Sequence, residues 1–172
     1  MKTTCFLGFF SLLLFLSCGI SSRHSGNSSQ QPNSKYCVSY YRKNNEFLYF
    51  VKPITFESQN SSIAADFTFR KINDSILDTV TVNYSVISKN KLETDFGKNC
   101  SIDSFPIKNN TLVFQEFNNK KYIQRYSGFI TSQQFRKIST VSKIFLYYSR
   151  NTIVCSPSNY AKKALNHVKK LY

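Results

Sequence analysis

Nucleophilic catalysis needs a base held beside the nucleophile, and this chain offers few groups that could meet. Beyond residue 35 it has one histidine, His167, and three cysteines, Cys37, Cys100 and Cys155. His167 falls among lysines on the polar side of a C-terminal helical pattern, and a helix start separates it from Cys155. No thiol and imidazole pair is expected from that arrangement. A glycosidase needs two carboxylates, and they would be drawn from Glu46, Glu57, Asp66, Asp74, Asp78, Glu93, Asp95, Asp103 and Glu116, among which no spacing selects two. Zinc sites favour C-x-x-C or clustered His and Cys, and neither occurs. With five glycines in all, there is no Gly-rich phosphate loop. The reading is therefore no catalytic residue, no metal and no cofactor. An envelope hydrolase would require His167 or two of the acids to converge in a pocket.

What the composition does carry is a charge asymmetry. The 172 residues hold 23 Lys+Arg against 9 Asp+Glu, a formal net charge of +14. Residues 19–116 contain 11 bases and all 9 acids, whereas residues 117–172 contain 11 bases and no acid. Lys120, Lys121, Arg125, Arg136, Lys137, Lys143, Arg150, Lys162, Lys163, Lys169 and Lys170 are thus expected to set up a positive potential that draws anionic partners. Tyr122, Tyr126, Tyr147 and Tyr148 interleave with these bases, as in single-strand binders. Strand cores account for those tyrosines better, and no nucleic acid is expected.

The beginning of the chain supplies an address. Lys2 precedes the apolar run Cys5 to Leu16, the length of a signal-peptide core and too short to span about 30 Å of hydrocarbon. The run ends in Leu14-Phe15-Leu16-Ser17-Cys18-Gly19, which resembles the lipobox of bacterial lipoprotein precursors. That resemblance implies lipidation of Cys18, a signal peptide over 1–17, and a cytoplasmic- or outer-membrane lipoprotein facing the periplasm or the cell surface. Residues 18–35 are mostly Ser, Asn, Gln and Gly, the composition of a flexible tether reaching about 20 to 25 Å as a random coil. One anchor supplemented by basic residues is an economical way to stay on a membrane.

With Cys5 in the leader and Cys18 lipidated, the body keeps an odd number of cysteines. In an oxidising compartment, one disulfide among Cys37, Cys100 and Cys155 plus one lone thiol is the simplest expectation, with all three pairings open. The alternative address is a soluble secreted glycoprotein with that disulfide. N-x-Ser/Thr sequons begin at Asn27, Asn60, Asn73, Asn83, Asn99 and within Asn109-Asn110-Thr111.

Residues 36–172 must position whatever the protein uses, and they read as one mainly β (α+β) domain, an antiparallel meander or sandwich. Val80, Val82, Tyr84 and Val86 alternate with polar residues, the period of a half-buried strand. Residues 36–42, 47–51, 65–72, 112–117 and 122–126 have strand composition. Asn44-Asn45, Asn73-Asp74, Asn109-Asn110 and Asn118-Asn119 mark hairpins, because Asn tolerates positive φ. Thr131 and Gln134 have capping-box spacing and predict a short helix ending near Ser139. Residues 143–149 and 152–155 follow as strands. Ser156 and Pro157 read as N-cap and N1 of a last helix. Along it Ala161, Ala164, Leu165, Val168, Leu171 and Tyr172 form an apolar stripe opposite Lys162, Lys163, Asn166, His167, Lys169 and Lys170. The protein is expected to work by binding an acidic envelope protein or an anionic surface through this basic C-terminal third.

Overall fold

A computed structural model describes residues 34–171 apart from 43, 74, 94, 149 and 150. The signal-like segment, Cys18, most of the tether and Arg150 lie outside the described residues. The fold is mainly antiparallel β with two helices. Ten strands run in the order β1 (Cys37–Tyr41), β2 (Glu46–Glu57), β3 (Ser61–Ile72), β4 (Ser75–Ser88), β5 (Cys100–Ile102), β6 (Phe105–Pro106), β7 (Lys108–Asn118), β8 (Lys121–Thr131), β9 (Ile144–Tyr148) and β10 (Asn151–Pro157). Helix α1 (Ser132–Lys137) follows β8, and α2 (Asn159–Lys169) follows β10.

All ten strands belong to one sheet with the spatial order β6-β5-β9-β10-β2-β3-β4-β8-β7, and β1 adds to β2. The two ends of that order, β6 and β7, are separated in the chain by Ile107 alone. One residue of extended chain covers only about 3.3 Å, so the sheet must curl until its edges nearly meet. The result is a nearly closed barrel. Ile107 holds the seam: its N–H donates to the Cys100 carbonyl of β5 at 3.0 Å.

The alternation read from the sequence fills the interior. Ile63, Ala65, Phe67 and Phe69 of β3, Val80, Val82, Tyr84 and Val86 of β4, and Tyr126 and Ile130 of β8 are all buried. Between Val51 and Ile54 of β2 the register shifts, at Lys52-Pro53. Proline has no N–H to donate, and here β2 exchanges one neighbour for another, β1 up to Val51 and β10 at Phe56 and Glu57. β7 is exposed over almost its whole length and forms the open edge of the sheet. Leu112, Val113, Phe114 and Phe117 are large apolar residues left exposed there.

Asn44, Asn45, Asn73, Asn109 and Asn119 all have positive φ, and the hairpins between β1 and β2 and between β3 and β4 form as expected. Asn109-Asn110 is no hairpin: both residues lie inside β7, where the pairing with β8 shifts register between Lys108 and Thr111. The β7–β8 turn sits one residue later than Asn118-Asn119, because Asn118 pairs with Lys121 and leaves Asn119 and Lys120 as the loop. Positive φ at both loop residues is the I′ geometry that matches strand twist. The capping box forms fully, with Thr131 accepting from the Gln134 N–H and the Gln134 side chain accepting from the Thr131 N–H. The last helix starts two residues later than Ser156-Pro157 suggests. Pro157 still pairs with Phe56, and the Ser158 N–H donates to the Thr55 carbonyl. Ser158 is the N-cap instead, accepting from the Ala161 N–H.

Candidate functional site

The described members of the basic set predicted from the sequence sit on several elements of the fold. Arg125 on β8 is occupied within the fold: its guanidinium donates to the Asp66 carboxylate of β3 at 2.7 Å and to Ser85 Oγ of β4 at 3.2 Å. Asp66 also accepts from the Asn83 side chain at 2.8 Å. This triad braces β3, β4 and β8 across the sheet and uses up one of the eleven bases. Lys120 and Lys121 sit at the β7–β8 turn, where Lys121 borders an open polar groove of about 370 Å³ with Glu57, Asn60, Ser88 and Asn90. Arg136 and Lys137 are exposed in the last turn of α1. Lys143 is exposed before β9, its N–H on Asp103.

Among the described residues, α2 concentrates four lysines on one surface. Ala161, Ala164, Leu165 and Val168 are buried against the sheet, with Leu171 beyond them. Lys162, Lys163, Lys169 and Lys170 are exposed on the other side, and Asn166 between them is exposed as well. The helix contains no acid, and among the described residues none of the four lysines is in an ion pair. Two contacts with the body fix its position. It packs on β2 and β10, and buried Lys71 of β3 donates from Nζ to the Leu171 carbonyl at 2.7 Å. A cation at that end also complements the negative end of the helix dipole.

His167 is not a solvent residue. Its ring lies 5.5 Å from that of Tyr36, which also meets Tyr160 at 5.3 Å. The Tyr160 hydroxyl donates to the Lys35 carbonyl at 3.2 Å. The first described residues are thus strapped onto α2, with the Lys35 ammonium over the Tyr36 ring at 4.9 Å. Sequence reasoning missed this contact because Tyr36 and His167 are 131 positions apart, and Tyr36 looked like the start of a strand.

The expected disulfide is not formed. Cys37, Cys100 and Cys155 are all free and buried. The register gives the reason. Cys100 pairs with Leu146 of β9 while Cys155 pairs with Ile144 of the same strand, so the two are on strands two apart, about 10 Å between backbones. Cys37 lies beside Val51 whereas Cys155 ends up near Ser58, some 20 Å further along β2. Bridging needs Cα atoms within about 7 Å.

Burial pushes the thiols up, Cys37 to about 11 and Cys100 to about 12, and it raises Cys155 as well. In the unfolded chain the same thiols ionise near 8.5. The folded form therefore keeps its full stability below that value and loses it progressively as pH rises through 9 toward 11 and 12, where only the unfolded state gives up protons. Two results are expected. All three thiols resist a maleimide in native buffer and react in denaturant, and stability falls steadily above pH 9. Rapid native labelling of any of the three would contradict the burial.

Three of the candidate carboxylates are engaged in ion pairs or hydrogen bonds, and Asp74 lies outside the described residues. Glu46 pairs with Arg42 and Arg70 on the surface, Asp66 is held in the triad, and Asp103 accepts from a backbone N–H. Among the described residues no group of three or more His, Cys, Asp or Glu is placed to hold a metal ion. No helix among the described residues is long and apolar enough to cross a membrane. Comparison with protein-family models, with curated proteins and with solved structures gives no match.

Proposed function

We propose that the protein is an exported, lipid-anchored component of a cell envelope that works by binding an anionic partner, and that α2 is the contact. The observation that carries the binding half is the array of Lys162, Lys163, Lys169 and Lys170, exposed together on a helix with no acid whose other side is packed on the sheet. A solvated lysine face needs only scattered charge. Four cations on a fixed, rigidly seated helix give a summed potential that a flexible anion can follow, screened over about 8 to 10 Å at physiological salt. The anchor rests on the Leu14 to Cys18 motif and the polar stretch behind it.

The test has two readouts. Retention on a poly-glutamate matrix at low salt should be strong, fall with added salt, and drop when Lys162, Lys163, Lys169 and Lys170 are changed together to Gln. Folding should stay intact, since exposed substitutions rarely exceed about 0.5 kcal/mol. Unchanged retention removes α2 as the contact. The intact mass of protein purified from its own membranes should carry an acyl increment that Cys18→Ala abolishes. A mature chain starting beyond Cys18 with added hexose would favour the secreted glycoprotein instead.

A further inference from the structure

The geometry points to an anionic lipid bilayer as the surface that α2 meets, with the helix lying lysine side down beside the point where the anchor segment joins the body. This rests on the anionic-partner reading above and names its chemistry. Three observations lead there. The first is the junction: Lys35 and Tyr36, next to the first described residue, are fastened to α2 through Tyr160 and His167. The second is charge: Lys35, Lys162, Lys163, Lys169 and Lys170 are all exposed, and no acid lies in α2 or anywhere after Glu116.

The third is reach. Fifteen residues separate Cys18 from Ser34. If they behave as their Ser, Asn and Gln composition predicts, they span about 22 Å. An anchor on that lead raises the effective concentration of the helix lysines at the headgroups. A single acyl anchor is marginal without a second, electrostatic signal, and here the second signal sits where the first one enters the body. An acidic protein partner gains nothing from that coincidence, because it could approach lysines anywhere on the surface.

The lysines would face the headgroups without insertion. The apolar stripe of α2 is already buried on the sheet, so attraction should be electrostatic, salt-sensitive and selective for anionic lipid. Each Lys close to such a surface strengthens partitioning about fivefold, and four of them together should matter by roughly several hundredfold.

The experiment uses the full chain with Cys18→Ser, which removes acylation and leaves everything else. Partitioning is measured onto vesicles of phosphatidylglycerol with phosphatidylcholine and onto phosphatidylcholine alone. The apolar N-terminal run contributes to both vesicle types, so the ratio between them is read. The expected result is a strong preference for the anionic vesicles that falls roughly several hundredfold when Lys162, Lys163, Lys169 and Lys170 become Gln. A matched set, Lys98, Lys108, Lys120 and Lys121 to Gln, removes the same charge from exposed positions around β7 and its turns and should change the ratio little. Equal effects of the two sets, or no preference in the parent chain, would overturn the inference. If poly-glutamate retention still depends on the α2 set in that case, the contact stands and an acidic protein is its partner.

Discussion

Phe135→Ala should destabilise the protein by about 3 to 5 kcal/mol, measured by chemical denaturation, the range for emptying a buried phenylalanine site. The side chain is 1% exposed although it sits on a helix of only six residues. Such a helix has little stability of its own, since nucleation is unfavourable and few intrahelical bonds repay it. What fixes it is the capping box at its start and the Phe135 ring at its centre. That ring lies 5.5 Å from Phe67 and 5.2 Å from Phe69, both inward-facing on β3, and Phe69 in turn stacks on Tyr49 of β2 at 5.0 Å. Removing it leaves a cavity against two aromatic rings, Phe67 and Phe69, that are pinned to the sheet and poorly able to collapse. Typical domains have only about 5 to 15 kcal/mol in total, so the loss would be a large share. Arg136→Ala, on the exposed side of the same helix, should change stability by less than about 0.5 kcal/mol. A loss under 1 kcal/mol for Phe135→Ala would mean that α1 is not the plug that the ring contacts indicate.

Sequence and structure agree where the determinants are local. Val80 to Val86 alternates because one face of β4 is buried, and that pattern survives in any antiparallel context. Asparagine turns declare themselves because positive φ is a property of single residues. The Thr131 and Gln134 box is complete within four positions. The stripe on α2 was legible for the same reason, and with it the lysines that carry the proposed contact. What the sequence hid is what depends on distant partners. β5 and β6, three and two residues long, are too short to show any period. β7, exposed except at Asn110, has none to show either, and only its composition over 112–117 marks it as a strand. Pro157 looked like a helix start, and only its pairing with Phe56, a hundred positions earlier, keeps it in the sheet. Arg125 looked like one free cation among eleven until Asp66, 59 positions away, came beside it. The cysteine count suggested a bridge, and only strand register shows that no two thiols approach. The barrel closure belongs to the same class, since nothing near Ile107 announces that it joins opposite edges of one sheet.

That closure leads to the second large effect. Gly128 is on the inward face of β8 in register with Val82, beneath the place where the chain passes from β6 into β7. A Cβ added there would come 2.5 Å from Ile107 Cγ2 and 2.8 Å from the Lys108 carbonyl oxygen. Glycine is required by this close approach of backbone to backbone, not by a positive φ. A side-chain methyl could rotate away, but the Lys108 carbonyl belongs to the first residue of β7 and cannot move without lifting the edge strand. Gly128→Ala should therefore cost about 1 to 3 kcal/mol, the usual range for overpacking, and the disturbance should centre on the seam. Ile107→Ala by itself empties a buried site and should cost about 2 to 5 kcal/mol. Combined, the two changes should cost less than their sum by roughly 1 kcal/mol, because trimming Ile107 removes the nearer of the two clashes while the carbonyl contact remains. Additive losses in denaturant unfolding of the two single variants and the double variant would show that Gly128 and Ile107 do not share the seam, and that the sheet edges are held together elsewhere.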